Sequence, residues 1–403
     1  MDYRHATYLI AIFYLLFPGT LAAQQDDSSY DLFLRPDLWY NRVDGVRIGS
    51  IAEGRVAGSG HEGRHRIDAA FWVGTRWPDL PVSYRFRYTE PLSRSAEGNE
   101  FAAGAFSRIL EGFQSHGLLL SRRWQMGEDY LSYWEGVIGF RFQYRFDLNY
   151  TLFPELWSDE WHKILFTRLE HRHFNRAGRF SIDKDLRFSP GETSFLNGEL
   201  SITQQAVLPA GFGILIRLFG TYSTGNTPPE YLHLLSNGNE IGTLESRLTR
   251  SRGTLPSRWV EDGWIHRAGG SNLRGYTSFD LEGLQMDTAV LHRKAAAVNI
   301  ELEIPNPLQH QLNQNPYTRD FLTLRTYLFG DMAAADDNSA GEGSLNRANA
   351  GVGIQLAVNI ADYLGKPRGF SLRYEAPFWL SDPGEDPSWK WRHLLGIGAI
   401  FPL

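Results

Sequence analysis

Three sets of residues in this chain have types and spacings that invite a chemical reading. In "LEHRHF", His171 and His173 stand two apart, with His162 a short way upstream. On an extended chain that spacing puts both imidazoles on one face, as a metal site would require. "HGLLLSRRW" offers His116 and Ser121, the residue types of a base and a nucleophile. "WIHRAGGSNLRGYTSFDLEG" sets Gly269 and Gly270 before Arg274, Gly275 and Tyr276. Arginine is a rigid fork of five donors that never neutralises itself, so a glycine-rich loop built around one must deliver it to carboxylates.

The first two sets weaken once the elements that hold them are considered. His171 and His173 continue the face of Leu165 and Leu169 and read as an interfacial rim, so no metal is expected. The offset of five residues from His116 to Ser121 puts them on opposite faces of a strand. No nucleophile–base pair forms there, and no catalytic residue is expected. The acidic "DDNSAGEGS" reads as a solvated loop rather than a calcium site. No cofactor is implied. Arg274 is left, with no catalytic partner beside it.

The elements available to position it are strands. The 403 residues are 14% aromatic and carry 40 glycines, a β-rich balance. A net charge of −6 gives no reason to expect a nucleic-acid partner, and the absence of cysteine rules out a disulfide framework. In "PVSYRFRYTEPL", Val82, Tyr84, Phe86 and Tyr88 oppose Ser83, Arg85, Arg87 and Thr89. In "GVIGFRFQYRFDLNY", Ile138, Phe140, Phe142, Tyr144 and Phe146 oppose Arg141, Gln143, Arg145 and Asp147. "AAVNIELEIP" sets Val298, Ile300, Leu302 and Ile304 against Asn299, Glu301 and Glu303, and "GFSLRYEAPFW" sets Leu372 and Tyr374 against Arg373 and Glu375. Alternation with period two puts one apolar and one charged face on each strand.

A soluble β-protein points the apolar face inward; a membrane barrel points it at lipid and lines its interior with the polar face. Large opposite charges on the polar face, and aromatics near strand ends (Tyr88, Tyr150, Phe174, Phe378, Trp379), favour the barrel. Residues 1–23 read as a signal peptide: a basic start, an apolar run of about a dozen residues, then "PGTLAA". The expected organisation is a signal peptide over 1–23, a short N-terminal segment over 24–41, and a transmembrane barrel over 42–403. At roughly two dozen residues per strand and turn, that barrel is an antiparallel, all-β ring of 16 strands, an even number as such barrels have.

"GGSNLRGY" resembles the glycine-glycine, arginine-glycine-aromatic signature of the BamA/TamA-type outer-membrane assembly-factor (bacterial surface antigen) superfamily. The order of later segments is similar too. "AAVNIELEIPNPL" looks like the strand after the family's loop, "TLRTYLFGDMA" like its Phe-x-Asp-x-Gly strand, and "GFSLRYEAPF" and "HLLGIGAIF" like later ones. The resemblance runs from about Thr224 to the C-terminus. It implies that the loop folds back inside the barrel, with Arg274 reaching Asp331 and Glu303 beside Phe329. Two departures stand out: Ala333 replaces the motif's last glycine, and no POTRA domain, the family's usual client-binding module, is expected between the signal peptide and the first strand. The function the resemblance implies is insertion or translocation of proteins, or lipids, at the bacterial outer membrane. Expected partners are outer-membrane lipid, client polypeptides and other complex subunits. A structural barrel subunit of a larger complex and a passive solute channel are the alternatives.

Overall fold

The computed structural model describes residues 30–56, 65–95, 98–126, 132–175, 178–191, 194–276, 291–319, 322–337, 343–358, 370–384 and 386–397. The expected signal peptide lies outside them, as does Gly398 of the closing segment. Seven strands come first: β1 (Tyr30–Asn41), β2 (Gly45–Val56), β3 (Arg66–Gly74), β4 (Val82–Arg94), β5 (Glu100–Leu110), β6 (Phe113–Gln125) and β7 (Tyr133–Arg145). Then come β8 (His162–Asn175), β9 (Gly178–Ser189), β10 (Phe195–Val207) and β11 (Gly213–Gly225). A long excursion follows, carrying helices α1 (Glu240–Thr243) and α2 (Ser257–Glu261) and the three-residue strand β12 (Ile265–Arg267). The chain then forms β13 (Lys294–Ile304), helix α3 (Pro307–Gln314), β14 (Leu322–Asp337), β15 (Gly343–Val358), β16 (Phe370–Leu380) and β17 (Leu394–Ile397).

Each long strand pairs antiparallel with the next in sequence, and β11 pairs with β13 across the excursion. The described sheet therefore has 17 strands where 16 were expected. The extra one is β12, a parallel partner of β17 that belongs to the excursion. The first strand begins at Tyr30, twelve residues ahead of the expected start at Arg42. Pro36 makes this stretch read as a break, yet a strand at one end of the ladder order tolerates a residue that cannot donate.

The two faces of the sheet are inverted relative to a soluble protein. Phe86, Ile138, Leu218, Ile300, Leu328 and Ile354 are exposed, while Gln143, Asn197, Arg217, Glu301, Asp331 and Arg373 are buried. That inversion is what the alternation implied, and it is the arrangement of a strand sheet with lipid outside and polar groups inside. No helix among the described residues is long and apolar enough to cross a membrane, which leaves crossing by strands untouched.

What buries the polar face is the excursion. Its Tyr231 bonds to Gln143 on β7, its Arg247 to Asp37 on β1, its Arg274 to Asp331 on β14, and its β12 to β17. One segment reaching all four strands means the sheet wraps around it. Phe153, Trp157, Leu244, Val260, Ile265 and Ile397 form an apolar cluster where the excursion, the β7–β8 connection and β17 meet.

Candidate functional site: a buried arginine between three strands

The excursion approaches the wall through residues 268–276. Gly270 has φ 53° and Gly275 φ 93°, a region that costs L side chains strain. A Cβ at Gly275 would also lie 3.0 Å from Leu380 and Pro377, so the backbone reaches the wall only because that atom is missing. Leu273, Arg274 and Tyr276 are each 0% exposed.

Arg274 spends its guanidinium on three carboxylates. Nε and Nη2 grip Asp331 side-on at 2.8 and 2.7 Å, and Nη1 donates to Glu301 Oε1 and Glu375 Oε1, both at 2.9 Å. Its plane lies 3.8 Å from the Phe329 ring centroid, close enough for a cation–π contact. Its backbone is held as well: Asn349 Nδ2 donates to the Arg274 carbonyl at 2.7 Å, and Asn349 Oδ1 accepts from the Asp331 amide at 3.1 Å. Asn299 Nδ2 donates to Asp331 Oδ1 at 3.0 Å and to the Ser271 carbonyl at 3.1 Å. Arg217 Nη1 donates to the Gly270 carbonyl at 2.8 Å. The Tyr276 hydroxyl donates to the Ala348 carbonyl at 2.8 Å and accepts from the Ser381 amide at 3.1 Å.

The structure thus brings together Gly269, Gly270, Arg274, Gly275, Tyr276, Phe329 and Asp331. Glu303, the second expected partner, is corrected. It pairs with Arg325 at 3.0 Å and keeps 31% of its side chain exposed. Register explains why. Asn299 faces Asp331, Glu301 faces Phe329 and Glu303 faces Tyr327. Two steps of the pleat, about 13 Å, separate Glu303 from the level of Asp331, and Glu301 is one step nearer. Glu375 on β16 was not singled out, although its inward parity with Arg373 was the available signal. Buried guanidinium and carboxylate groups balance here: Arg274, Arg325 and Arg373 meet Asp331, Glu301 and Glu375, with the half-buried Glu303 beside Arg325. Ala333, the departure from the motif, packs with Leu273 and Tyr276, so its methyl fills space the loop itself provides.

His266 on β12 is 0% exposed and donates from Nε2 to the Ser236 carbonyl at 2.7 Å. Burial, with Arg373 also nearby, pushes its pKa down to about 4, so the ring is neutral at neutral pH. Three of the histidines singled out in the sequence are occupied elsewhere. His171 stacks on Trp134 with centroids 4.1 Å apart and bonds to the Tyr133 carbonyl. His162 lies against Ser158 and Glu230. His116 bonds across strands to Ser107 at 2.8 Å, not to Ser121.

No family model matches the sequence, and no curated relative does. Among solved structures the chain is similar to BamA from Haemophilus ducreyi lacking POTRA domains 1-3, with 13% identity, 91% of this chain and 69% of that one covered, and a TM-score of 0.49. It is also similar to CdiB from Escherichia coli, with 11% identity, 98% and 70% coverage, and a TM-score of 0.43. Likeness at this level carries no argument, and the arginine site stands on its own distances.

Proposed function

We propose that this chain is an outer-membrane β-barrel of the BamA/TamA type, a closed ring of 16 spanning strands that takes part in inserting or translocating polypeptides, or lipids, at the bacterial outer membrane. The observation that carries the reading is Arg274, wholly buried and bonded to β13, β14 and β16 at once from a loop folded onto the polar face. A peg of this kind does no bond chemistry. It fixes an interior segment relative to the last strands of the sheet, next to where first and last strands meet and where a client strand could pair with an exposed edge. A filled interior also speaks against the passive-channel alternative, since the excursion occupies the space a solute would use. The test is insertion of an unfolded outer-membrane barrel protein into liposomes, with and without this protein reconstituted. Acceleration that depends on the protein supports the reading; no acceleration, together with co-purification in a stable outer-membrane complex, favours the structural-subunit alternative.

A further inference from the structure

Among the excursion's attachments to the sheet, two go to opposite ends of the strand order. The first is to β1. Arg247 holds Asp37 through two nitrogens, with Nη2 2.8 Å from Oδ2 and Nη1 3.1 Å from Oδ1, and its guanidinium lies 4.7 Å from the Trp39 ring centroid. The Arg42 amide donates to the Arg252 carbonyl at 3.0 Å, and the Thr254 hydroxyl to the Tyr40 carbonyl at 3.1 Å. The second attachment is to β17. Ile265, His266 and Arg267 pair in parallel with Leu395, Gly396 and Ile397. The Leu395 amide donates to the Trp264 carbonyl at 2.8 Å, and the Ala268 amide to the Ile397 carbonyl at 3.1 Å.

A strand has two edges, and each edge accepts one ladder. Over Leu394–Ile397 one edge of β17 is taken by β16 and the other by β12. On that stretch nothing else can add to β17 until β12 leaves. We infer that residues 247–267 are a strap: they bridge the first and last strands from inside, and their release frees the edge of the last strand for another extended segment. The consequence for a client strand rests on the function proposed above; the strap does not.

Beside the apolar cluster that holds Val260 and Ile265 against Ile397, the two strand attachments are the weaker part of the strap's hold. The β12 ladder is three residues long, against thirteen for β10 on β11. The Arg247 side chain at the other end is 40% exposed, and half-solvated ion pairs hold weakly. Arg274 lies beyond the strap, so the loop can stay pegged while the strap lifts.

Hydrogen exchange on the unaltered protein tests the strap directly. The Leu395 amide should exchange at least a hundredfold faster than that of Leu218, which sits between two full ladders. The chain has no cysteine, so Ile265→Cys with Leu395→Cys, a pair of facing positions within disulfide reach, can lock β12 onto β17. The disulfide should form on oxidation in the folded, membrane-embedded protein, slow exchange of the Ala268 amide, which donates to the Ile397 carbonyl, at least tenfold relative to the reduced variant, and cut liposome insertion of an unfolded barrel protein at least tenfold until reduced. Absence of the cross-link in protein that still migrates as a folded barrel, or Leu395 exchange as slow as Leu218, overturns the strap. Cross-linking and slowed exchange, with insertion that is present but indifferent to oxidation, overturn release as the step that admits a client. The same two results with no insertion in either redox state overturn the proposed function and leave the strap standing.

Discussion

Arg274 exchanges its hydration for three carboxylates and an aromatic face, and the loop's position depends on that exchange. Replacing it with alanine leaves Asp331 buried without its guanidinium and Glu301 and Glu375 with only Arg325 and Arg373, a loss of about 3–5 kcal/mol for one-sided removal of a buried pair. The strand ladders do not pass through this residue, so Arg274→Ala should still form a heat-resistant barrel. Its loop should become cleavable by external protease, and its interior should conduct ions. Arg274→Lys should restore protection only in part, because an ammonium lacks the fork that grips Asp331 side-on while reaching two other carboxylates. A protected loop and unchanged conductance in Arg274→Ala would remove the peg. The corrected partner set makes a second, finer prediction: Glu375→Gln should loosen the loop severalfold more than Glu303→Gln, as read by the same protease. Equal effects would sink the assignment of partners. Asp331 was legible because motif order and strand parity agree on it. Glu303 was misassigned because parity gives the face of a strand but not the height along it, which only register fixes.

At the scale of elements, period-two alternation carried nearly everything that could be read. Ile138 and Phe142 are 57% and 40% exposed, whereas Gln143 and Arg145 are 1% and 3%. A fluorophore on a single cysteine at 138 or 142 should therefore be quenched by a bilayer-embedded quencher, and one at 143 or 145 should not; the reverse pattern would turn the sheet right side out and end the membrane reading. Alternation failed where it was too short or was interrupted. Three residues cannot display a period, so β12 left no signal in "WIHRAGG", and Pro36 hid the middle of β1 in "YDLFLRPDLWYN". Both misses fall on the strap's attachments: β12 is its last part and β1 is the strand its first part holds. That is physically reasonable, since a strand held by its neighbour's edge or by an interior segment needs less sequence regularity than one in mid-sheet.

The described strands form a laddered sheet around a segment held by side chains, and the two should respond differently to acid. His266 sits in that segment, facing Arg373, Arg274 and Glu375, with its Nδ1 3.8 Å from Glu375 Oε2. In place its pKa is about 4; released into water it returns to about 6.5. The released state therefore binds the proton more readily. This histidine's contribution to holding the segment is complete above pH 6.5, is lost as pH falls from there toward 4, and changes no further below that. Across that window the loss is roughly 3 kcal/mol. Hydrogen exchange at Ala268, corrected for its intrinsic pH dependence, should accelerate steadily between pH 6.5 and 4, while the Leu218 amide, embedded between complete ladders, should not follow. His266→Gln keeps a donor for the Ser236 carbonyl but cannot titrate, so its Ala268 profile should flatten. Identical slopes in the two proteins would mean that the acid response comes from the carboxylates around Arg274 instead, and that the interior segment and its peg are released as a single unit.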